Sequence, residues 1–214
     1  MRSSPRSSKS IMCASTRRSS PLPYTLRVLP GKTVASTRTI LSDLIEPGDA
    51  NYLGKAFGGA ILAKIDLCAY ATASKYAGTI CVTASFDRVD FHMPIEVGDL
   101  VTLEGRVSFA GRTSVEITIE ISSQNVLTGE TRHTNTARVT MVALREGAPA
   151  EVPPLLPETR AEKLDYLEAR LRREARKILQ RERDEAKSKL AQSTDDQIEE
   201  WMRAERIDQL LARA

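Results

Sequence analysis

Apolar and polar positions alternate through the middle of the chain. Over 100–109, Val101, Leu103, Val107 and Phe109 fall on one side, with Thr102, Glu104, Arg106 and Ser108 on the other. Val115, Ile117, Ile119 and Ile121 repeat this against Glu116, Thr118 and Glu120, and 131–144 reads as the last strand. A two-residue period with one apolar side marks half-buried antiparallel strands. Residues 36–45 and 79–91 predict two more. Between those lies GGAILAKIDLCAYATASKYA, residues 58–77, with Ile61, Ile65, Cys68 and Ala69 at helical spacing. Two glycines open this helix and Gly78 closes it. The order is strand, helix, then four strands in a meander, an α+β class. One amphipathic helix serves such a sheet best if the antiparallel sheet wraps around it and the two share a core. The sheet edges then invite pairing with a second subunit.

The pattern changes at both ends and divides the chain into four zones. Residues 1–35 form a basic arm rich in Ser, Arg and Pro, expected to be disordered or targeting-like. Residues 36–145 are the compact domain. Pro149, Pro153, Pro154 and Pro157 mark 146–160 as a linker, and 161–214 is a charged helical extension. Within the extension, Leu164, Leu167, Leu171, Ala175 and Ile178 recur at three- and four-residue steps, a stripe expected to serve self-association. Ile198, Trp201, Met202, Ile207, Leu210 and Leu211 suggest a second, short helix.

Composition narrows the function classes. A chain of 214 residues that is 41% hydrophobic supports one core. A net charge of +3 is too small to argue for nucleic acid. Three cysteines without CxxC spacing argue against a disulfide framework or zinc site and favour a reducing compartment. No stretch approaches the roughly 18 apolar residues of a membrane span. A cytoplasmic location is expected, or an organelle matrix if the arm over 1–20 acts as a transit peptide.

The chemistry concentrates in DANYLGKAFGGAILAKID, residues 49–66. Asn51 stands in the loop before the helix, Gly58 and Gly59 at its start, and Asp66 inside it between Ile65 and Leu67. Asp66 is either a satisfied structural carboxylate or a general base in an apolar setting. Gly58 and Gly59 either allow close helix packing or offer free N–H groups to an oxyanion or phosphate. Asn51 is either a common loop residue or an amide that holds a water or a carbonyl. Gly59 and Asp66 are separated by about 10 Å along one helix axis, so one reacting carbon cannot touch both. Two antiparallel copies of the helix bring Asp66 of one beside Gly59 of the other, which predicts a site shared across a dimer interface.

The pattern D-x-N-x-x-G-x-x-x-G-G, followed by an Asp seven residues after the second Gly, resembles the acyl-CoA thioesterases of the hotdog superfamily, of the YciA-like and cytosolic brain-type groups. DFHMPIEVGDLV (90–101), GRTSVEITIEI (111–121) and TGETRHTNTARVTMVAL (128–144) resemble that family in the same order. The resemblance implies a hotdog fold and hydrolysis of fatty acyl-CoA to free fatty acid and CoA. It places catalysis on Asn51 and Asp66 from different subunits, with Asp66 activating a water or attacking as a nucleophile, and Gly58 and Gly59 polarising the carbonyl. It implies no metal and no cofactor beyond the coenzyme A of the substrate, and a homodimer at minimum, with a trimer of dimers common among relatives. Arg112, Thr113 and Ser114 form a turn suited to the CoA phosphates. His92 is left out of the core site. Leu67, where some relatives carry an acid, and Lys55 bear on acyl specificity. A non-hydrolytic acyl-CoA or acyl-carrier binding module is the alternative; a hotdog dehydratase would need a helix histidine that is missing here.

Overall fold

The computed structural model describes residues 29–203, apart from 88 and 90–92. The N-terminal arm up to residue 28, His92, and Ile207, Leu210 and Leu211 lie outside the described residues. The main sheet contains β2 (Thr39–Leu44), β3 (Cys81–Phe86), β4 (Asp99–Ala110), β5 (Ser114–Asn125) and β6 (Thr131–Arg145), and it curls around α1 (Gly58–Ala77). Ile61, Ile65, Cys68, Ala69 and Ala73 of α1 are buried against the inner side of that sheet, whose Ile117, Ile119, Ile121 and Val139 are equally closed to solvent. The expected antiparallel sheet around one helix is therefore present.

The strand order corrects the expected four-strand meander. Of the four strands expected after α1, only β4, β5 and β6 follow one another as hairpins; the sheet runs β2–β4–β5–β6–β3. β2 occupies the other edge of β4, from Thr39 opposite Gly105 to Leu44 opposite Leu100. That leaves β3 the free edge of β6, where Cys81 stands opposite Ala143. The chain after β3 runs instead to the loop before α1, where Ala56 N–H donates to the Ile95 carbonyl at 2.8 Å.

Two glycines have identifiable duties. Gly78 ends α1 in the left-handed region at φ 68°, a conformation that favours glycine. A Cβ on Gly105 would lie 2.6 Å from Thr72 Oγ1 and 3.0 Å from Cys68 Sγ, so its hydrogen lets α1 approach β4. Burial pushes the Cys68 thiol above its ordinary pKa.

A second correction concerns Phe109. The pairing of β4 with β5 shifts between Val107 and Phe109, so Phe109 stands opposite Glu116 and points to the outer face, away from Val107. There it meets Tyr166 of α2 (Arg160–Ala191), with ring centroids 5.1 Å apart. Thr159 and Glu162 close a capping box at the start of α2. This helix then crosses the outer side of the sheet, burying Ala169, and α3 (Asp195–Arg203) follows it.

The proline-bearing stretch before α2 is packed. β7 (Ala148–Pro149) pairs with β6, and β8 (Leu155–Leu156) runs parallel to β1 (Lys32–Thr33). Val152 and Leu155 join the core. The buried hydroxyl of Tyr76 donates to the Pro153 carbonyl at 2.5 Å, and burial pushes its pKa well above the ordinary phenol range. Tyr76→Phe should therefore cost about 1 kcal/mol, with a small drop in Tm, because the Pro153 carbonyl loses its partner. An unchanged melting curve would mean that another donor or water replaces it.

No helix among the described residues is long and apolar enough to cross a membrane.

Candidate active site

The loop before α1 fixes the Asn51 amide. Its Oδ1 accepts from the Leu53 N–H at 2.9 Å and the Lys55 N–H at 3.1 Å. Among the described residues, the Nδ2 end of the amide has no hydrogen-bond partner. Asn51 and Gly58 line one cavity of about 430 Å³, together with Leu53, Ile61, Met93 and Ile95. Among the described residues, no acceptor is assigned to the Gly58 or Gly59 N–H, so the start of α1 offers donors beside Asn51. The Phe57 ring lies against Gly59, in the space a Cβ there would take.

Asp66 is two turns away on α1 and does not line this cavity. Its Oδ1 accepts a 2.5 Å hydrogen bond from the Thr83 hydroxyl of β3. Asp66 is half-buried in the single chain, on a side of α1 that also exposes Leu62, Leu67 and Tyr70. Ile80, Val82 and Phe86 are exposed beside it at the unpaired edge of the sheet. The structure thus brings Asn51 together with Gly58 at one cavity, with Gly59 next to it in α1, places Asp66 with Thr83, and keeps the two groups apart within one chain. Thr83 was missed at the sequence level, since it gains its place only from β3 lying at the sheet edge next to α1.

The turn expected to meet phosphate is divided. Arg112 is exposed and its carbonyl accepts from Val152 N–H, while the Thr113 carbonyl accepts from Ala143 N–H. Ser114 alone of the three lines a second cavity, of about 500 Å³, between β3, β5, β6 and α2. Its cations come from α2: Arg173, Arg176, Lys177 and Arg181, with the hydroxyls of Ser85 and Thr140 opposite. The outward turn of Phe109 builds this wall, since Arg173 rests 5.4 Å over its ring. Arg176 is held at 2.6 and 2.7 Å by Asp87 and at 3.1 Å by the buried Glu116. Arg173, Lys177 and Arg181 make no such pair with the sheet among the described residues, so the cavity is net basic.

Comparison with known proteins gives consistent matches. A family model described as "Thioesterase superfamily" matches residues 53–142. "Protein VdlD" of Helicobacter pylori is 36% identical over 144 residues, covering 67% of this chain and 83% of that protein. A structure described as an apo-hexameric acyl-CoA thioesterase is 45% identical, with a TM-score of 0.67, over 70% of this chain and 96% of that one. An acyl-CoA hydrolase of Staphylococcus aureus, in complex with butyryl coenzyme A, coenzyme A and coenzyme A disulfide, is 36% identical. Its TM-score is 0.68, over 76% of this chain and all of that one. That hydrolase has also been solved with alanine in place of an asparagine, of an aspartate fifteen residues later, and of a threonine seventeen residues beyond that. Asn51, Asp66 and Thr83 stand at those same spacings here.

Proposed function

The chain belongs to the thioesterase superfamily, and we infer that it hydrolyses acyl-CoA to a fatty acid and coenzyme A in sites shared between two subunits. The observation that carries the shared site is the separation of Asp66 and Thr83 from Asn51 and Gly58 on one α1. A two-fold axis beside the exposed face of α1 and the free edge of β3 joins the halves. It also covers Leu67, Tyr70 and Val82, which a single chain leaves in water.

In this arrangement the thioester oxygen lies between Asn51 Nδ2 and the N–H groups at the start of α1, where negative charge builds up as the carbonyl is attacked. Asp66 of the neighbouring subunit takes a proton from a water, whose oxygen bonds to the acyl carbon. The C–S bond then breaks, and the proton passes to the departing CoA sulfur. Thr83 acts through Asp66 as a positioning residue, fixing one carboxylate oxygen so that the other faces the water. No cofactor enters these steps; coenzyme A comes with the substrate. Its phosphates fit the basic cavity under α2, with Ser114 and Arg173 as contacts in place of Arg112.

Acyl-CoAs of several chain lengths incubated with a thiol reagent should release free CoA; binding without release would support the non-hydrolytic module instead. The phosphate assignment has a separate test. Arg173→Ala should raise KM for acyl-CoA by about tenfold, the usual value of one charge-assisted contact, while acyl-pantetheine, which has no nucleotide, is unaffected. An equal change for both substrates would show that Arg173 acts on the fold and not on phosphate.

A further inference from the structure

The faces of α2 are used in reverse of the usual order. Its charged side packs on the sheet: Asp165 with Arg106 at 3.3 Å, Arg172 with Glu116 at 2.7 Å, and Arg176 with Asp87 and Glu116. Its apolar stripe points away. Leu164, Leu167, Leu171 and Ile178 are 50%, 52%, 69% and 56% exposed. These four sit at steps of three, four and seven residues, the spacing of a coiled-coil seam in which the docked residues hold the outer positions. An apolar row of this kind facing water marks an interaction surface.

We propose that this stripe is a second self-association seam, pairing α2 in parallel with α2 of another copy of the chain. Charge decides the partner and the direction. On one flank of the stripe stand Lys163, Arg170 and Lys177; on the other stand Glu168 and Glu182, with Ala175 between them. A parallel pair sets each basic flank against its partner's acidic flank, with Lys163 meeting Glu168 and Lys177 meeting Glu182 five residues further along. An antiparallel pair would set basic flank against basic flank. The surface is thus self-complementary about a two-fold axis. The seam is short for an isolated coiled coil, but α2 is already ordered by its docking on the sheet, so pairing carries little of the cost of forming the helix. It lies on the outer side of the sheet, opposite the α1 side, so the two interfaces coexist and build an assembly larger than a dimer. Glu174 interrupts the apolar row and is neutralised in part by Lys177 at 2.9 Å.

The test is the particle mass of the full chain by light scattering at micromolar concentration. In the doubly substituted Leu167→Glu/Leu171→Glu protein the mass should fall to half or less of the wild-type value. CoA release at saturating substrate should persist, which shows that the variant is folded. Glu174→Leu should shift dissociation to lower concentration, by about tenfold. Leu171→Cys, in a Cys13→Ser background, should form an intermolecular disulfide under mild oxidation, because parallel pairing puts the two copies of residue 171 opposite each other within disulfide reach. An unchanged mass in the glutamate variant, or no cross-link at 171, overturns the proposal; either would mean that the chain's own termini or some other partner covers the stripe.

Discussion

Asp66→Asn should lower kcat by about 10²- to 10⁴-fold, the range a positioned general base supplies, with KM little changed. Asparagine keeps the size of the side chain and the bond from Thr83, but it has no carboxylate to accept the proton of water. Asn51→Ala should lose about 10²- to 10³-fold, the usual cost of removing one donor from a developing oxyanion. Mixing these two inactive proteins gives a sharper result. If each site takes Asp66 from one subunit and Asn51 from the other, every mixed dimer holds one intact site and one doubly damaged site. After full exchange of subunits, half the dimers are mixed, so activity should return to about a quarter of wild type. A site contained within one chain allows no such recovery. Continued inactivity after demonstrated exchange would therefore sink the shared site, whatever the single variants do.

Much of this was legible in the sequence, and the failures have physical reasons. The alternation of β4 and β5 and the helical spacing of Ile61, Ile65 and Cys68 gave the wrapped sheet, because burial against one helix imposes both periods. Asn51, Gly58, Gly59 and Asp66 were visible as a spaced set, and the length of a helix was enough to separate Asp66 from Gly59 within one chain. Thr83 was not visible, because its partnership with Asp66 depends on β3 lying beside β6, and local pattern carries no strand order. The bulge at Phe109 left the alternating text intact while turning the ring to the other face. The docking side of α2 was not visible either: the leucine stripe was expected to serve self-association, and no local pattern shows that Glu116 and Asp87 draw Arg172 and Arg176 onto the sheet. The basic cavity exists only because of that docking, which the sequence does not announce.

Glu116 therefore carries more than its own pair, and Glu116→Leu should show it. The carboxylate is 3% exposed and accepts from Arg172 at 2.7 and 3.2 Å and from Arg176 at 3.1 Å. Burial opposes the charge on Arg176, but the hydrogen bond to Glu116 and the field of Asp87 outweigh it and raise its pKa. Leucine fills a similar volume but leaves Arg172 with only an exposed glutamate, Glu168, and Arg176 with Asp87 alone. Removing one partner of a fully buried pair costs about 3–5 kcal/mol; the two arginines keep some water, which brings the expectation to about 2 kcal/mol. For a chain of this size that is a fall in Tm of about 4–8 °C. The loss should not stop at stability. With α2 loosened from β5, Arg173 and Arg181 no longer hold the cavity wall, so KM for acyl-CoA should rise while turnover of acyl-pantetheine is kept. Glu116→Gln, which keeps an acceptor for Arg172, should lie between the two proteins on both measures. A variant that melts early yet binds acyl-CoA normally would separate the ion-pair cluster from the cavity and remove α2 from the recognition of coenzyme A.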